Sequence, residues 1–338
     1  MVIGDCFCVT ITACELAQDY ARAEEWCRIG LAAAGDRPNG FLKANCLASY
    51  GWILGVIGRT REGEARLRDA LTMFDSGKWR LGHRQIRGNV LVKLADLERR
   101  RGHRGAAIKL LRDCGESAEG LRLRAELALD QADSRNALRL AGELNSLTGR
   151  EHDTRRVISL QLSVRAAVAG GEPDLAQHYL EELRSLAEGI DTIPVLAWLA
   201  LARGAALGMA GKVDEAVAAD REAARLFTDC GTGFDAAQAK RHEASVLREA
   251  GRESEASQAL DAAGRLLGQS EGGRSTLLTR RETEVLRLLT TGLSNPAIAK
   301  ELRLSPHTVH RHVAAVLRKL DVPTRTAAVA AAIQLDLA

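Results

Sequence analysis

The chain has 338 residues, of which 46% are hydrophobic and 27% are charged, a balance that is typical of folded domains and excludes a disordered chain. The formal charge of +3 is too small to indicate a nucleic-acid partner by itself. Residues 193–210 form the longest apolar stretch but contain Arg203, and the chain does not begin like a secretory signal peptide. We therefore expect a cytoplasmic protein without a membrane partner, and its seven scattered cysteines predict reduced thiols rather than disulfides or a zinc site.

Residues 1–267 are rich in Ala, Leu, Arg and Glu and contain a recurring pattern. The form Gly-x-x-x-Glu-Ala occurs at 211–216 and again at 251–256. Extending the comparison predicts seven turns, near Gln18, Gly58, Gly102, Ala132, Gly171, Gly211 and Gly251. Five positions after these turns stand the small residues Ala23, Gly63, Ala107, Ala137, Ala176, Ala216 and Ala256. Seven positions before the turns stand Ile11, Gly51, Ala95, Ala125, Val164, Gly204 and Ala244.

Small residues at fixed offsets from a turn allow two antiparallel helices to approach closely. The spacing of about 40 residues is typical of solenoids built from two-helix repeats. We therefore predict an all-α fold in which about seven helical hairpins stack into one superhelix. The pattern resembles tetratricopeptide-like repeats, although the period is longer and most of the usual aromatic residues are missing. The alternative is a generic all-α bundle with an accidental similarity to a repeat.

Two groups of residues in the repeat region have a structural and a functional interpretation. The run Arg99-Arg-Arg101 precedes a predicted turn, and we interpret it as a solvated helix cap rather than a nucleic-acid patch. The tryptophans are interpreted as packing between repeats rather than as a ligand cage; they are Trp26, Trp52, Trp79 and Trp198.

A Gly- and Ser-rich run at 268–276 predicts a flexible linker between a repeat domain (1–267) and a C-terminal domain (277–338). Residues 277–338 hold nine basic and five acidic side chains, a formal charge of +4, whereas the remainder carries −1. The positive charge of the protein is therefore concentrated in its last 62 residues.

Four helices are predicted in this C-terminal domain from their capping residues. The first runs from the capping box Thr279-x-x-Glu282 to about residue 291, before Gly292. The second helix, 297–302 with Pro296 in its first turn, and the third, 307–320, each follow a serine with a proline close behind it, and the fourth covers 325 to about 335. The second and third helices have the proportions of a helix-turn-helix.

A helix that enters the major groove of DNA needs short or hydrogen-bonding residues near its start and cations for phosphates further along. We expect His307, Thr308, His310, Arg311, Ala314 and Ala315 on the solvent side of the third helix. Arg311 can donate two hydrogen bonds to guanine and His310 one, while the helix start favours a phosphate. The predicted DNA-binding residues are Ser305, Thr308, His310, Arg311, Ala314, Arg318, Lys319 and Arg325.

The stretches 278–286, 292–295, 298–302 and 305–309, with His312 and 318–320, closely resemble the LuxR-type (GerE-like) DNA-binding domain. The resemblance implies a third helix that reads the major groove of double-stranded DNA and a fourth helix that forms a dimer contact. It also implies base-reading positions at His310, Arg311 and Ala314 and phosphate contacts at Thr308 and Lys319. The departures from the family pattern are Ala297, His310, Ala315 and Asp321, where Glu, Lys, Asn and Gly are usual.

A helical solenoid followed by such a domain is similar to the C-terminal half of large ATP-binding LuxR regulators, although the sequence has no Gly-x-x-x-x-Gly-Lys-[Ser/Thr] loop. The chain is therefore either a piece of a longer regulator or a member without the NTPase.

The sequence predicts a DNA-binding transcriptional regulator whose repeat domain senses a small molecule or a protein on its concave face. The resemblance implies action on RNA polymerase and a homodimer on DNA. Neither an enzyme nor a cofactor is predicted, and the helix-turn-helix explains His307, His310 and His312 better than a metal site does. The alternative, favoured by Ala297 and His310, is a helical-repeat adaptor or sequestering protein whose helix-turn-helix no longer reads DNA.

Overall fold

The computed structural model describes residues 2–35, 41–76, 83–115, 117–148, 154–271, 280–302, 304–320, 322 and 324–334. Throughout these segments the regular secondary structure is α-helical, as predicted. The chain divides into two compact units, Met1–Glu271 and Gly272–Ala338. Among the described helices, none is long and apolar enough to cross a membrane.

The first unit contains seven successive helical hairpins within the described residues, which confirms the predicted solenoid of helix pairs. The pairs are α1 (Val2–Leu16) with α2 (Tyr20–Ala34), α3 (Phe41–Val56) with α4 (Thr60–Ser76), α5 (His83–Arg100) with α6 (Arg104–Arg112), α7 (Ala118–Asp130) with α8 (Ser134–Thr148), α9 (Thr154–Gly170) with α10 (Pro173–Ile190), α11 (Ile193–Met209) with α12 (Val213–Asp229), and α13 (Gly233–Glu249) with α14 (Glu253–Glu271). Successive first helices contact one another from α1 to α13, so they form the inner layer of the superhelix.

The turn of every hairpin contains a residue in the left-handed backbone region, at each of the seven predicted positions. Five of these are glycines, with φ between 73° and 95°, and the other two are Gln18 (53°) and Ala132 (56°). At the third turn the Gly102 N–H donates to the Arg99 carbonyl at 2.9 Å and the His103 N–H to the Glu98 carbonyl at 2.8 Å. This is the Schellman arrangement that ends a helix, and it recurs at the other turns.

Ala132 offers a test of this turn geometry because its side chain is exposed and its φ is 56°. Replacing Ala132 by Gly removes the steric cost of a Cβ in the left-handed region, so we expect a gain of about 1 kcal/mol in the free energy of unfolding. Urea unfolding followed by circular dichroism measures the change. Gly171→Ala, at a turn with φ 73°, is the matched control and should lose stability. A loss in Ala132→Gly would contradict the turn geometry.

The small residues on both sides of the turns are buried where the two helices of a hairpin meet. In the second hairpin two of these residues face each other, Gly51 of α3 and Gly63 of α4. A Cβ on Gly63 would lie 2.5 Å from the Gly51 carbonyl oxygen, and a Cβ on Gly51 would lie 2.7 Å from the Gly63 carbonyl oxygen. The two backbones are therefore in direct contact, as the repeat of small residues predicts.

The superhelix closes on itself, so that its first hairpins meet its last ones. The Trp198 Nε1 of α11 donates to the side-chain oxygen of Gln18 in the first hairpin turn, at 3.1 Å. The Arg100 guanidinium at the end of α5 lies 4.8 Å from the Phe234 ring centre, and its Nη1 lies 3.6 Å from Asp235 Oδ1. Helices α4 and α14 are also in contact. The inner layer therefore surrounds a central cavity instead of lining an open groove.

In the described residues of the second unit, four helices pack around one apolar core. They are α15 (Arg280–Thr290), α16 (Asn295–Leu302), α17 (Pro306–Lys319) and α18 (Arg325–Gln334). Each lies within one or two residues of its predicted bounds, and Gly292 has the expected positive φ of 82°. The core includes Leu286, Ile298, Val309, Val316 and Ala328. Helix α14 runs to Glu271 and so overlaps the start of the predicted linker, 268–276; Thr279 of the capping box lies outside the described residues.

Candidate nucleic-acid interface

Ser305 caps the N-terminus of α17, the third helix of the second unit, as predicted. The Ser305 Oγ accepts a hydrogen bond from the Thr308 backbone N–H at 3.0 Å and lies 2.8 Å from the Thr308 Oγ1. Pro306 occupies the first helical position, where its missing N–H costs nothing. The cap fixes the N-terminus of α17 and leaves Ser305 exposed.

Helix α17 has an apolar side and a solvent side. Val309 and Val316 are fully buried in the core, and α15 and α16 both pack against this helix. His310 and Ala314 are exposed on the opposite side, and Arg311 is half-buried beside them. These are the three residues predicted to read bases, and the structure places them on one surface.

Ala315 does not lie on this surface, so its predicted solvent exposure is wrong. It is only 9% exposed, because it lies on the same flank of α17 as Thr308 and His312. The buried side of the helix is therefore wider than the valine stripe. Ala315, at a position where the family usually has Asn, therefore lies in the packed part of the domain.

Two arginines link the helices of this unit through backbone carbonyls. Arg325 donates to the Leu293 carbonyl and, at 3.3 Å, to the Asn295 Oδ1, which ties the start of α18 to the start of α16. Arg281 of α15 donates to the Leu302 carbonyl at 2.7 Å, at the C-terminus of α16. Sequence reasoning missed the position of Arg281, since no local pattern distinguishes it from a solvated arginine. A phosphate contact by Arg325 stays a prediction.

Arg318 and Lys319 belong to the last turn of α17, but their side chains lie outside the described residues. Their phosphate contacts also stay predictions. In the parts of the chain that the structure describes, no group of three or more His, Cys, Asp or Glu side chains could hold a metal ion.

A second candidate site is the central cavity of the repeat unit, which has a volume of about 390 Å³. It is lined by charged side chains of α5 and α7 and by aromatic side chains, among them Trp52 and Trp198. Trp198 also packs edge-on against Phe227, with ring centres 4.7 Å apart, and Trp52 lies under the Arg100 guanidinium. These two tryptophans therefore pack between hairpins and border the cavity as well, whereas Trp79 lies outside the described residues.

A network of buried ion pairs forms one wall of this cavity. Asp96 is fully buried and accepts from Arg99 Nε at 3.1 Å and from Arg122 Nη2 at 2.9 Å. Burial alone would raise the pKa of Asp96, but the charges of Arg100, Arg122 and Arg99 outweigh it and hold this pKa well below its usual value. The interpretation of the run 99–101 as a solvated cap is thus wrong for Arg99, which is 5% exposed, and for Arg100, whose side chain is 8% exposed.

Arg99 also has counter-charges in the next hairpin. Arg99 Nη1 lies 3.2 Å from Asp130 and 3.8 Å from Glu126, both on α7. Arg165 of α9 lies 3.5 Å from Glu126. Burial by itself raises the pKa of Glu126, and the charges of Arg165 and Arg99 reverse this and lower it. The network therefore holds three successive hairpins together.

The comparison with known families matches residues 276–332 to the family described as "GerE: Bacterial regulatory proteins, luxR family". The HTH-type transcriptional regulator Rv0890c of Mycobacterium tuberculosis is 31% identical over 229 residues, which cover 60% of this chain and 24% of that protein. The transcriptional regulatory protein DegU of Brevibacillus brevis is 48% identical over 58 residues, 17% of this chain and 25% of that protein. The nitrate/nitrite response regulator protein NarP of Escherichia coli is 49% identical over 53 residues, 16% of this chain and 25% of that protein. The chain spans about a quarter of the length of these curated relatives.

Proposed function

We propose, from the premise that residues 276–332 are a LuxR-family helix-turn-helix domain, that this chain is a sequence-specific DNA-binding transcriptional regulator of the cytoplasm. The observation that carries the proposal is the solvent side of α17. It presents His310, Arg311 and Ala314 together, opposite a valine stripe that anchors the helix in the core. In this proposal α17 enters the major groove, and the repeat unit senses an effector.

The chemistry of this surface suits direct reading of duplex DNA. An arginine can donate two parallel hydrogen bonds to the O6 and N7 of guanine, and a histidine can donate one. Ala314 provides a short side chain that lets the helix approach the base edges closely, and it can contact a thymine methyl group. The formal charge of +4 on residues 277–338 supports attraction to the phosphate backbone.

Replacing Arg311 by Ala tests this assignment. We expect the affinity for specific DNA to fall about 10- to 100-fold, because one bidentate contact with guanine contributes about 1–3 kcal/mol. A gel shift with a promoter fragment selected from genomic DNA measures the change. Arg287→Ala is the matched control, since it removes the same charge from an exposed position on α15. If both variants bind like the wild type, the assignment of α17 as the recognition helix is wrong.

Replacing Lys319 by Ala tests the predicted phosphate contact. The loss of one cation should weaken binding to all sequences about equally and reduce the slope of log affinity against log salt by about one. Titrations at several salt concentrations, on specific and on random DNA, measure both quantities. A loss confined to the specific fragment would instead assign Lys319 to base reading.

A selection of genomic fragments bound by the full chain tests the proposed partners on DNA. An inverted repeat among the recovered fragments is expected if the chain binds as a homodimer through α18. Action on RNA polymerase is proposed from the family alone and is tested by transcription from such a promoter. The absence of DNA binding at both low and high salt would instead favour the helical-repeat adaptor.

A further inference from the structure

One arginine that lines the central cavity, Arg100, has two nitrogens without a hydrogen-bond partner among the described residues. An ion-pair network of four arginines and four carboxylates reaches the cavity through Arg99, Arg100, Arg122, Glu126 and Asp235, which line it, and continues behind them with Arg165, Asp96 and Asp130. Arg99, Arg122 and Arg165 each donate at least one hydrogen bond to a carboxylate. Among the described residues, the buried Nε and Nη1 of Arg100 have no hydrogen-bond partner.

The carboxylates nearest to Arg100 are too far away to accept from it. Asp96 Oδ2 lies 3.6 Å from Nε, and Asp235 Oδ1 lies 3.6 Å from Nη1. Asp96 already accepts from Arg99 and Arg122. Burial raises the pKa of Asp235 despite the opposing charge of Arg100, which weakens it as a counter-charge. A buried guanidinium with N–H groups that lack acceptors is costly in free energy unless an acceptor from outside the protein completes its hydrogen bonds.

A second unpaired donor lines the same cavity. Gln161 of α9 is fully buried, and its Oε1 accepts from Arg165 Nη1 at 3.5 Å. Its Nε2 has no hydrogen-bond partner among the described residues. Arg100 and Gln161, which both line the cavity, therefore hold three buried donor atoms without a hydrogen-bond partner among the described residues, so a complementary ligand supplies acceptors.

The remaining lining and the volume restrict the ligand further. Trp52, Leu16 and Ile86 supply apolar surface. A volume of about 390 Å³ lies within the range of small-molecule sites and is too small for a protein segment. The charged side chains that line the cavity are five cations and four carboxylates, so a ligand with one negative charge balances them better than a doubly charged phosphate; they are Lys93, Arg99, Arg100, Arg122, Arg155, Glu15, Glu119, Glu126 and Asp235.

We propose that this cavity binds a small organic carboxylate, with its carboxylate at Arg100 and Gln161 and its apolar body against Trp52. The inference rests on the proposed function, in which the repeat unit senses an effector, and it specifies the chemical class of that effector. It also selects the small molecule over the protein partner as the occupant of the inner face.

The test uses the full chain and isothermal titration calorimetry with phenylacetate and indole-3-acetate as probes. Phenylacetamide and indole-3-acetamide are their neutral counterparts, and inorganic phosphate is the control anion. We expect at least one carboxylate to bind, its amide to bind at least about tenfold more weakly, and phosphate not to compete. No binding by either carboxylate, equal binding by its amide, or competition by phosphate would each overturn the proposal.

Three variants locate the binding in the cavity. Arg100→Gln removes the charge, and Gln161→Met removes the amide donor at similar volume, so each should weaken carboxylate binding about tenfold or more. Arg139→Gln, at an exposed arginine of α8, should bind like the wild type. If Arg100→Gln does not fold, Gln161→Met decides, and unchanged affinity in a folded cavity variant would overturn the proposal.

A gel shift on the same preparations separates the carboxylate site from the proposed DNA binding. Intact DNA binding without carboxylate binding contradicts this inference alone, and the reverse contradicts only the proposed function.

Discussion

Replacing Asp96 by Asn is expected to lower the free energy of unfolding of the repeat unit by about 3–5 kcal/mol. Asp96 is fully buried and is the shared acceptor of Arg99 and Arg122, with Arg100 close by. The neutral amide leaves these arginines buried with an uncompensated positive charge, which is the costly way to break a buried ion pair. Urea unfolding followed by circular dichroism at neutral pH measures the loss.

Asp261→Asn in α14 is the matched control, because Asp261 is exposed and the change is chemically the same. Its effect should stay within about 0.5 kcal/mol.

The pH dependence of the free energy of unfolding gives a second readout for Asp96→Asn. The pKa of Asp96 is lowered in the folded state, so its contribution is complete at neutral pH and is lost as the pH falls below about 4. Asp96→Asn should therefore lose less stability on acidification than the wild type, and equal acid sensitivity would contradict the buried network.

Replacing Gly63 by Ala is expected to cost about 3 kcal/mol, although the same exchange stabilises most helices. Its Cβ would lie 2.5 Å from the Gly51 carbonyl oxygen and 2.9 Å from the Gly55 nitrogen, both backbone atoms that cannot rotate away. The two helices of the second hairpin would have to separate along their contact. Thermal and urea unfolding of the full chain measure the loss.

Gly142→Ala provides a control with the opposite expected sign. Gly142 lies inside α8, and a Cβ there would meet no atom within 4 Å. Removing the conformational freedom of this glycine should raise the free energy of unfolding by about 0.5–1 kcal/mol. If Gly63→Ala is also neutral or stabilising, the close contact of α3 and α4 is wrong.

The repeat pattern predicts the hairpins well because close packing of two helices is a local requirement. It located turns even at Gln18 and Ala132, where the residue type argues against a positive φ, since the small residues around them keep the same register. The caps of the second unit are equally local. Ser305 accepts from the N–H of Thr308 three residues later, so its role could be predicted from the sequence.

The features that sequence reasoning missed depend on residues far apart in the chain. The run 99–101 looks like a solvated cap because several of its partners, among them Glu126 and Asp235, belong to later hairpins. Arg325 likewise finds its acceptor at Leu293, 32 residues earlier. The closure of the superhelix depends on the rotation accumulated over seven hairpins, which no single repeat encodes. The cavity, and with it the candidate effector site, could therefore not be predicted.

The hydrogen bond from Trp198 to Gln18 joins residues 180 positions apart. An open solenoid can bend or stretch gradually, because each repeat contacts only its neighbours. In a solenoid whose first and last hairpins are in contact, the curvature can change only when these contacts open. A change in the curvature of the repeat unit therefore has to break the contacts between its first and last hairpins, and a ligand in the cavity would act on those contacts.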